Sequence, residues 1–325
     1  MGPPVRFVTA RRMSVHPCVK RLAGIALAWA LLVSARSEAM AYKEVVVRDG
    51  ATVTGKVRLK GAVPELRYFP LVLYPFGTYC KKIGDVNGNV QLQEFIVTDD
   101  GGMQDTIIAI DGVKAGKEFK PITTEFVAVD CMFHPSDVSP SEHSTRDAEG
   151  RVHHQHPLVA VMQNNQPLTV VNQDPIFHNG QVFQSERGNI ILNFPLPISN
   201  QPFGGVVHLA PGKRIVQMIC GMHEFMQTWG LMVDNPYYAK TRKGGEFSIG
   251  DLPAGTYKVT AWHPHLKPIV QEIIVRPNEK VELAFEFDAA EVHRPIFETQ
   301  DKFRVTPHAE HDGLTGDSDD RILVK

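Results

Sequence analysis

One segment of the chain carries a thiol, an imidazole and a thioether at regular three-residue spacing. These groups belong to Cys220, His223 and Met226, and they lie between the strand-like residues 214–219 and 230–233. All three are ligands that suit copper. Two histidines, one cysteine and a distant methionine together form the blue-copper arrangement of electron-transfer proteins. We therefore predict a copper site here, provided that a second histidine comes from elsewhere.

The second histidine is predicted to be His178, which follows the strand-like residues 168–171 and precedes Asn179. A copper ion held by four protein ligands has no open position for substrate, whereas a metal enzyme normally keeps one. The chain also has no nucleophile elbow, no H-E-x-x-H motif and no phosphate-binding loop. We therefore expect electron transfer and no enzymatic activity.

Both segments resemble the cupredoxins, and the C-x-x-H-x-x-M spacing is similar to that of the amicyanin and pseudoazurin-like branch. The resemblance implies a Greek-key β-sandwich and one type 1 copper ion. It implies that the Asn179 side chain braces the two ligand loops against each other. It also implies the full ligand set, which is His178, Cys220, His223 and Met226.

The wider chain resembles exported bacterial proteins described as methylamine-utilisation or plastocyanin-like, which join a cupredoxin domain to a carboxypeptidase-regulatory-like β-sandwich. The run at 247–259, followed by Trp262 and His263, carries this second likeness. We expect an all-β protein. Its predicted parts are a signal peptide at 1–41, a cupredoxin-like domain at 42–235 with an inserted polar loop at 135–156, a small β-sandwich module at 236–290 and a flexible tail at 291–325.

Short alternating segments predict the strands themselves, among them residues 44–48 and 52–59. Residues 95–97 and 106–110 are predicted to pair across the turn at 99–102. The regular spacing of apolar segments after residue 236 predicts a small sandwich. His263 and His265, which flank Pro264, are interpreted as structural or surface residues.

The N-terminus predicts export. Basic residues precede a short apolar run at 22–33, and Ala39-Met40-Ala41 follows it, which is the pattern of a cleaved secretory signal peptide. We therefore expect a periplasmic protein that is not inserted in the membrane. The whole chain has 34 basic and 36 acidic residues without a basic cluster, so nothing indicates nucleic-acid binding.

Three cysteines remain after such cleavage, namely Cys80, Cys131 and Cys220. An exported protein favours disulfides, and an odd number leaves one thiol to be explained. We predict a Cys80–Cys131 disulfide and a metal on Cys220.

Other readings of the same residues stay open. Cys131 and His134 repeat the C-x-x-H spacing, so two such pairs are compatible with a tetrahedral zinc site. The histidines of the inserted loop, such as His153 and His154, are compatible with metal scavenging or with a solvated loop. The whole protein is compatible with a scaffold subunit of an exported assembly or with a copper carrier.

The redox partner is predicted to be a c-type cytochrome or another copper protein. We expect electrons to pass at an exposed edge of His223, because the corresponding ligand is usually near the surface in cupredoxins. An apolar docking patch is predicted around it, formed by Pro175, Phe177, Met222 and Phe225.

Overall fold

The computed structural model describes residues 42–136, 144–146, 148, 152–154, 159–184 and 189–293. The predicted signal peptide at 1–41 lies outside them, as do most of the predicted tail and the histidines at 143 and 156. Within the described part, no helix is long and apolar enough to cross a membrane.

Strands make up nearly all of the regular structure, as the apolar and polar alternation predicts. The helical structure that is described consists of one α-helical turn, α1 (Gly77–Cys80), and three 3₁₀ turns (Leu71–Leu73, Lys81–Ile83 and Ala289–Glu291). The strands are β1 (Lys43–Glu44), β2 (Ala51–Lys60), β3 (Arg67–Pro70), β4 (Asn89–Leu92), β5 (Ile107–Asp111), β6 (Ala115–Gly116), β7 (Thr124–Val129), β8 (Met132–Pro135), β9 (Ser144–Arg146), β10 (Val152–His154), β11 (Val159–Met162), β12 (Pro167–Asn172), β13 (His178–Gln184), β14 (Ile190–Leu196), β15 (Pro202–Val206), β16 (Ile215–Cys220), β17 (His223–Met232), β18 (Tyr238–Lys240), β19 (Glu246–Leu252), β20 (Gly255–His263), β21 (Leu266–Val275) and β22 (Lys280–Asp288).

The middle of the chain forms a β-sandwich that we call the site sandwich. One sheet has the strand order β11-β17-β16-β13-β14, and the other has the order β15-β12-β7-β8. Apolar residues from both sheets form one buried cluster, represented by Phe126, Val170, Val182, Met218 and Met226. The chain crosses repeatedly between the sheets, since β12 and β13 lie in different sheets and so do β14 and β15. The protein is thus an all-β sandwich protein.

A second sandwich combines strands from both ends of the described chain. Its sheets have the orders β18-β5-β20-β21 and β19-β2-β22. β2 runs parallel to β22 over nine residue pairs and antiparallel to β19. The inward residues of β2, among them Val53 and Val57, are fully buried in the core of this sandwich.

This pairing departs from the predicted division at residue 235. The predicted cupredoxin-like domain at 42–235 includes residues 51–60 and 107–111, yet β2 and β5 are hydrogen-bonded to strands from beyond residue 236. The reason is that a strand with one apolar face needs a core to cover it, and strand spacing along the chain does not say which core that is. The predicted hairpin of 95–97 with 106–110 is also wrong, since β5 pairs with β18 and β20, and Val97 makes one bridge to Met103.

The inserted segment at 135–156 is more regular than predicted. It contains β9 and β10, which pair antiparallel, where the sequence predicts an irregular loop. At the start of the described residues, the predicted strand at 44–48 is wrong except for Glu44, since β1 covers only Lys43–Glu44.

Residues 71–83 form what we call the cover segment, which includes α1 and lies between the paired strands β3 and β4. Leu71, Tyr74 and Cys80 of this segment are buried in the core of the site sandwich. The Cys80 sulfur is bonded to that of Cys131, which precedes β8. The cover segment is therefore held against the site sandwich by apolar packing and by a covalent bond.

Candidate metal centre

Two neighbouring strands of the site sandwich place the predicted thiol and imidazole together. β16 and β17 form a tight hairpin in which Cys220 pairs with His223 across the two-residue turn Gly221-Met222. The register shifts between Ile219 and Cys220, and such bulges redirect side chains at functional sites. The C-x-x-H spacing is therefore the spacing of a hairpin turn, and His223 is the first residue of β17.

The second histidine reaches the site because β13 pairs with β16. Gly180 lies opposite Cys220 in this antiparallel pair, and His178 begins β13 two residues earlier. The backbone N–H of Gly221 donates to the carbonyl oxygen of Asn179 over 2.9 Å. Sheet register thus brings together residues that are 42 positions apart in the sequence.

The three ligand atoms form a small, buried triangle. The Nδ1 atoms of His178 and His223 are 3.2 Å apart, and the Cys220 Sγ lies 3.7 Å and 3.6 Å from them. All three residues are completely buried. They are the one group of three or more His, Cys, Asp or Glu residues with suitably close ligand atoms in the described part of the chain.

These distances fit a bound metal ion. Metal–nitrogen bonds of about 2.0 Å and metal–sulfur bonds of about 2.3 Å would place such donors roughly 3.3–3.8 Å from one another. The observed separations lie close to that range. A thiolate with two imidazoles is a soft donor set that suits copper or zinc, so this His-Cys-His group can hold a metal ion.

The outer nitrogen of each histidine is held by a different partner. His223 Nε2 lies 2.7 Å from the carbonyl oxygen of Pro75, and His178 Nε2 lies 2.9 Å from Oδ2 of Asp174. A carbonyl oxygen can only accept, so the proton of neutral His223 is on Nε2. Both rings are therefore oriented with Nδ1 towards the thiol, as metal ligands require.

The protonation of Cys220 depends on the two histidines beside it, and that of His178 depends on Cys220 and Asp174. Burial would raise the pKa of Cys220, but hydrogen bonds and charge from His178 and His223 lower it to about 6. Burial would lower the pKa of His178, but Asp174 and Cys220 outweigh it and raise this pKa to about 9. In the metal-free protein the thiol is thus readily ionised, and the thiolate is the form that binds metals.

Asp174 is the buried carboxylate behind His178. It accepts hydrogen bonds from the backbone N–H groups of Asp130 and Cys131, at 2.7 Å and 2.9 Å, and from the Tyr79 hydroxyl. Burial would raise the pKa of Asp174, but the bonds from His178, Cys131 and Tyr79 lower it below its usual value. A carboxylate that ionises more readily than usual therefore lies against the outer nitrogen of His178.

Met226 lies three residues after His223 in β17 and is completely buried. It belongs to the same apolar cluster as Cys220 and Phe225, whereas Trp229 belongs to a different cluster. The role of Met226 as an axial ligand stays a prediction.

The side chain of Asn179 lies between β14 and the turn that carries Cys220 and His223, since its Oδ1 is packed against Gly221; its bracing role stays a prediction. Its Nδ2 donates to Asn193 Oδ1 and to the carbonyl oxygen of Phe194, both on β14. The backbone of Asn179 also contacts the second ligand segment, since its N–H donates to the Cys220 sulfur over 3.5 Å.

The expected exposed edge of His223 is absent. This histidine is completely buried, and the carbonyl group of Pro75 in the cover segment lies against its outer nitrogen. Phe225, expected on the surface, is also completely buried and packs edge-on against Tyr74 with ring centroids 5.2 Å apart. The prediction of a docking patch around an exposed His223 is therefore wrong, because His223 and Phe225 are both buried.

The other members of that patch differ in exposure. Pro175 and Phe177 are exposed and Met222 is partly buried. In the cover segment Pro75, whose carbonyl group contacts His223, and the adjacent Phe76 are exposed, and Phe76 has a left-handed backbone with φ of 56°.

The alternative zinc site does not form. Cys131 is bonded to Cys80, so its sulfur is not available as a metal ligand. His134 is buried on β8, and it is not part of the His-Cys-His group.

Asp174, Pro75 and Tyr79 are site residues that the sequence interpretation missed. Asp174 had a weak signal, because it precedes His178 by four residues in an Asp-Pro-x-x-His run. Pro75 and Tyr79 had none, since they are separated from their partners by 148 and 95 residues.

Comparisons with known proteins gave limited likenesses. No protein-family model matches the chain, and no curated protein matches it. Among solved structures, a mutant of amicyanin with Cu(I) aligns with 39% of this chain and 98% of its own, at 11% identity and a TM-score of 0.22. A second amicyanin mutant, in the reduced Cu(I) form at pH 4, gives the same values.

The TIE protein of Bacillus anthracis aligns with 74% of this chain and 51% of its own, at 7% identity and a TM-score of 0.14. At such scores the function has to be inferred from the side chains at the site.

Proposed function

We propose that this chain is a cupredoxin-like, single-copper electron-transfer protein. His178, Cys220 and His223 would hold the ion, and Met226 would be the weak axial ligand of a type 1 centre. When bound, copper would supply one-electron chemistry through its Cu(II) and Cu(I) states. The observation that carries the proposal is the buried triangle of one sulfur and two imidazole nitrogens, with separations of 3.2–3.7 Å.

The surrounding residues support electron transfer over catalysis of bond chemistry. The outer nitrogens of both histidines are held by Asp174 and Pro75, so neither ring is free to turn away when the charge of the site changes. His178, Cys220, His223 and Met226 are all completely buried, which keeps water and substrates from the ligand atoms. A fixed, dry and fully ligated site suits an ion that changes its charge without changing its ligands.

The same burial distinguishes this proposal from a copper carrier. A carrier must release its ion to another protein, whereas here the cover segment lies over His223 and is anchored by the Cys80–Cys131 disulfide. We propose that a c-type cytochrome or another copper protein exchanges electrons with the site. The disulfide also supports the proposed export to an oxidising compartment such as the periplasm.

The test is copper reconstitution of the purified protein from residue 42 onward. We expect one copper ion per chain, an intense visible absorption band from the thiolate and the small copper hyperfine splitting of a type 1 centre in the EPR spectrum. A chain that binds no copper, or that binds it without colour, would remove the proposal. A tightly bound zinc ion in the protein as isolated would instead identify a structural metal site.

A further inference from the structure

A line of hydrogen-bonded side chains connects the surface to one ligand of the metal centre. The Lys82 ammonium donates to the Tyr79 hydroxyl over 2.6 Å, and that hydroxyl donates to Asp174 Oδ1 over 2.8 Å. The other oxygen of Asp174 lies 2.9 Å from Nε2 of His178. Lys82 is the partly exposed end of this line, whereas Asp174 and His178 are buried.

The direction of each bond follows from the groups involved. An ammonium group can only donate, so the Tyr79 oxygen accepts from Lys82 and its own proton points to Asp174. An ionised carboxylate can only accept, so His178 donates its Nε2 proton to Asp174. As long as the Asp174 carboxylate is ionised, Lys82 therefore donates to Tyr79, and both Tyr79 and His178 donate to Asp174.

Lys82 is fixed by two further contacts. Its ammonium lies 2.6 Å from Oδ1 of Asp130, and it lies over the Tyr79 ring at 3.9 Å from the ring centroid. The backbone N–H of Asp130 in turn donates to Asp174. The Lys82 ammonium is thus connected to the Asp174 carboxylate both through Tyr79 and through Asp130, and these contacts fix its position.

We propose that Tyr79 and Lys82 are positioning residues that set the reduction potential of the metal centre through Asp174 and His178. This inference rests on the proposed copper function. Hydrogen bonds to a carboxylate draw its charge away from the histidine, and a less basic histidine is a poorer donor to the metal. Tyr79 and Lys82 therefore weaken the donation of His178 and favour the reduced ion.

The test uses Tyr79→Phe and Lys82→Met in the copper-loaded protein. Each variant weakens the hydrogen bonding to Asp174, so more of the carboxylate's negative charge acts on His178. This should stabilise Cu(II) and lower the reduction potential. We expect a change of roughly threefold to tenfold in the Cu(II)/Cu(I) equilibrium, where tenfold corresponds to about 59 mV for one electron. The copper hyperfine splitting in the EPR spectrum should change with the potential.

Two substitutions nearby serve as matched controls. Lys81→Met removes the same charge one residue away on an exposed side chain, and Tyr68→Phe removes an exposed hydroxyl from β3. Both should leave the EPR spectrum unchanged and shift the potential less than their counterparts. Equal shifts in Lys81→Met and Lys82→Met, with no effect of Tyr79→Phe, would overturn the proposal.

A metal-free measurement separates this inference from the proposed function. If the unmodified protein binds no copper, the proposed function fails. The ¹⁵N chemical shifts of the His178 ring should still change in Tyr79→Phe and stay constant in Tyr68→Phe, because the line of hydrogen bonds does not require the metal. Unchanged shifts in Tyr79→Phe would show that the hydroxyl does not act on His178.

Discussion

Two pairs of buried histidines use their ring nitrogens in different ways. In the metal centre, the outer nitrogens of His178 and His223 are bonded and the inner ones converge on a thiol. In the second sandwich, His265 Nε2 lies 2.7 Å from Glu94, and His263 Nδ1 accepts from the backbone N–H of His265. Convergent nitrogens can share an ion, whereas each ring of the second pair has one nitrogen bonded within the protein and one, His263 Nε2 or His265 Nδ1, buried without a hydrogen-bond partner among the described residues.

The charges around the two pairs differ as well. The metal centre has an ionised carboxylate and an ionisable thiol, which together attract a cation. Glu94 instead forms an ion pair with Arg67 as well as with His265. A cation entering there would have to compete with a buried guanidinium. The prediction that His263 and His265 are surface residues is wrong, since both are buried, and a structural role stays the prediction.

The two pairs nevertheless lie in connected parts of the fold. β17 carries His223 at one end and Trp229 further along, and the Trp229 ring packs edge-on against His265 at 5.8 Å. A cluster that includes Ile107, Trp229 and Trp262 contains residues of both sandwiches. The comparison can therefore be tested by changing one pair and measuring the properties of the other.

The largest effect is expected for Cys220→Ser. Loss of the thiolate should abolish the visible absorption and reduce copper affinity by more than about 100-fold, since even the loss of an outer partner of a metal ligand costs 10- to 100-fold. Copper titration followed by absorption and EPR checks this. A Ser variant that stays equally coloured would show that the sulfur of Cys220 is not a ligand.

The next largest effect is expected for Glu94→Gln, on stability alone. Removing one partner of a buried ion pair typically costs about 3–5 kcal/mol, because the other charge is left uncompensated. Denaturant unfolding should show this loss, while the copper spectrum of the folded protein stays the same. Glu272→Gln, at an exposed position on β21, is the control, and an equally small change in both variants would contradict the role given to Glu94.

A smaller effect is expected on the pH dependence of stability in His263→Asn. Complete burial, with the nearby His265 as a lesser cause, lowers the pKa of His263 to about 3 from its usual 6.5. Between these values the unfolded chain binds a proton that the folded protein does not, so stability falls as the pH is lowered through this window.

This single histidine contributes a slope of up to about 1.4 kcal/mol per pH unit. The His263→Asn variant should lose that part of the slope between pH 6.5 and pH 3, whereas His208→Asn, at an exposed site, should keep it. Unfolding measured at several pH values decides between them, and an unchanged slope would mean that His263 is protonated in the folded protein.

The smallest effect is expected for Met226→Leu. A swap of similar volume in a core usually costs less than about 1.5 kcal/mol, so stability and colour should be kept. Loss of the axial thioether should raise the potential, by roughly tenfold in the Cu(II)/Cu(I) equilibrium or about 59 mV. Voltammetry of the two proteins measures this, and an unchanged potential would assign Met226 to packing alone.

Local patterns in the sequence predicted several strands and the central donor atoms. Alternation of apolar and polar residues at 52–59 predicted the strand observed as β2, because one face of such a strand must be buried. The C-x-x-H spacing indicated a thiol and an imidazole side by side, because the ends of a tight hairpin turn are neighbours whatever the rest of the fold does.

Tertiary structure alone decided which core each strand joins and what lies behind each ligand. β2 has the same alternation as a strand of the site sandwich, yet it pairs with β22. Pro75 reaches His223 across 148 residues, and Tyr79 reaches Asp174 across 95. Such contacts depend on the packing of the whole chain, which no local spacing encodes, so the covering of the metal centre and the polar line behind His178 became visible only in three dimensions.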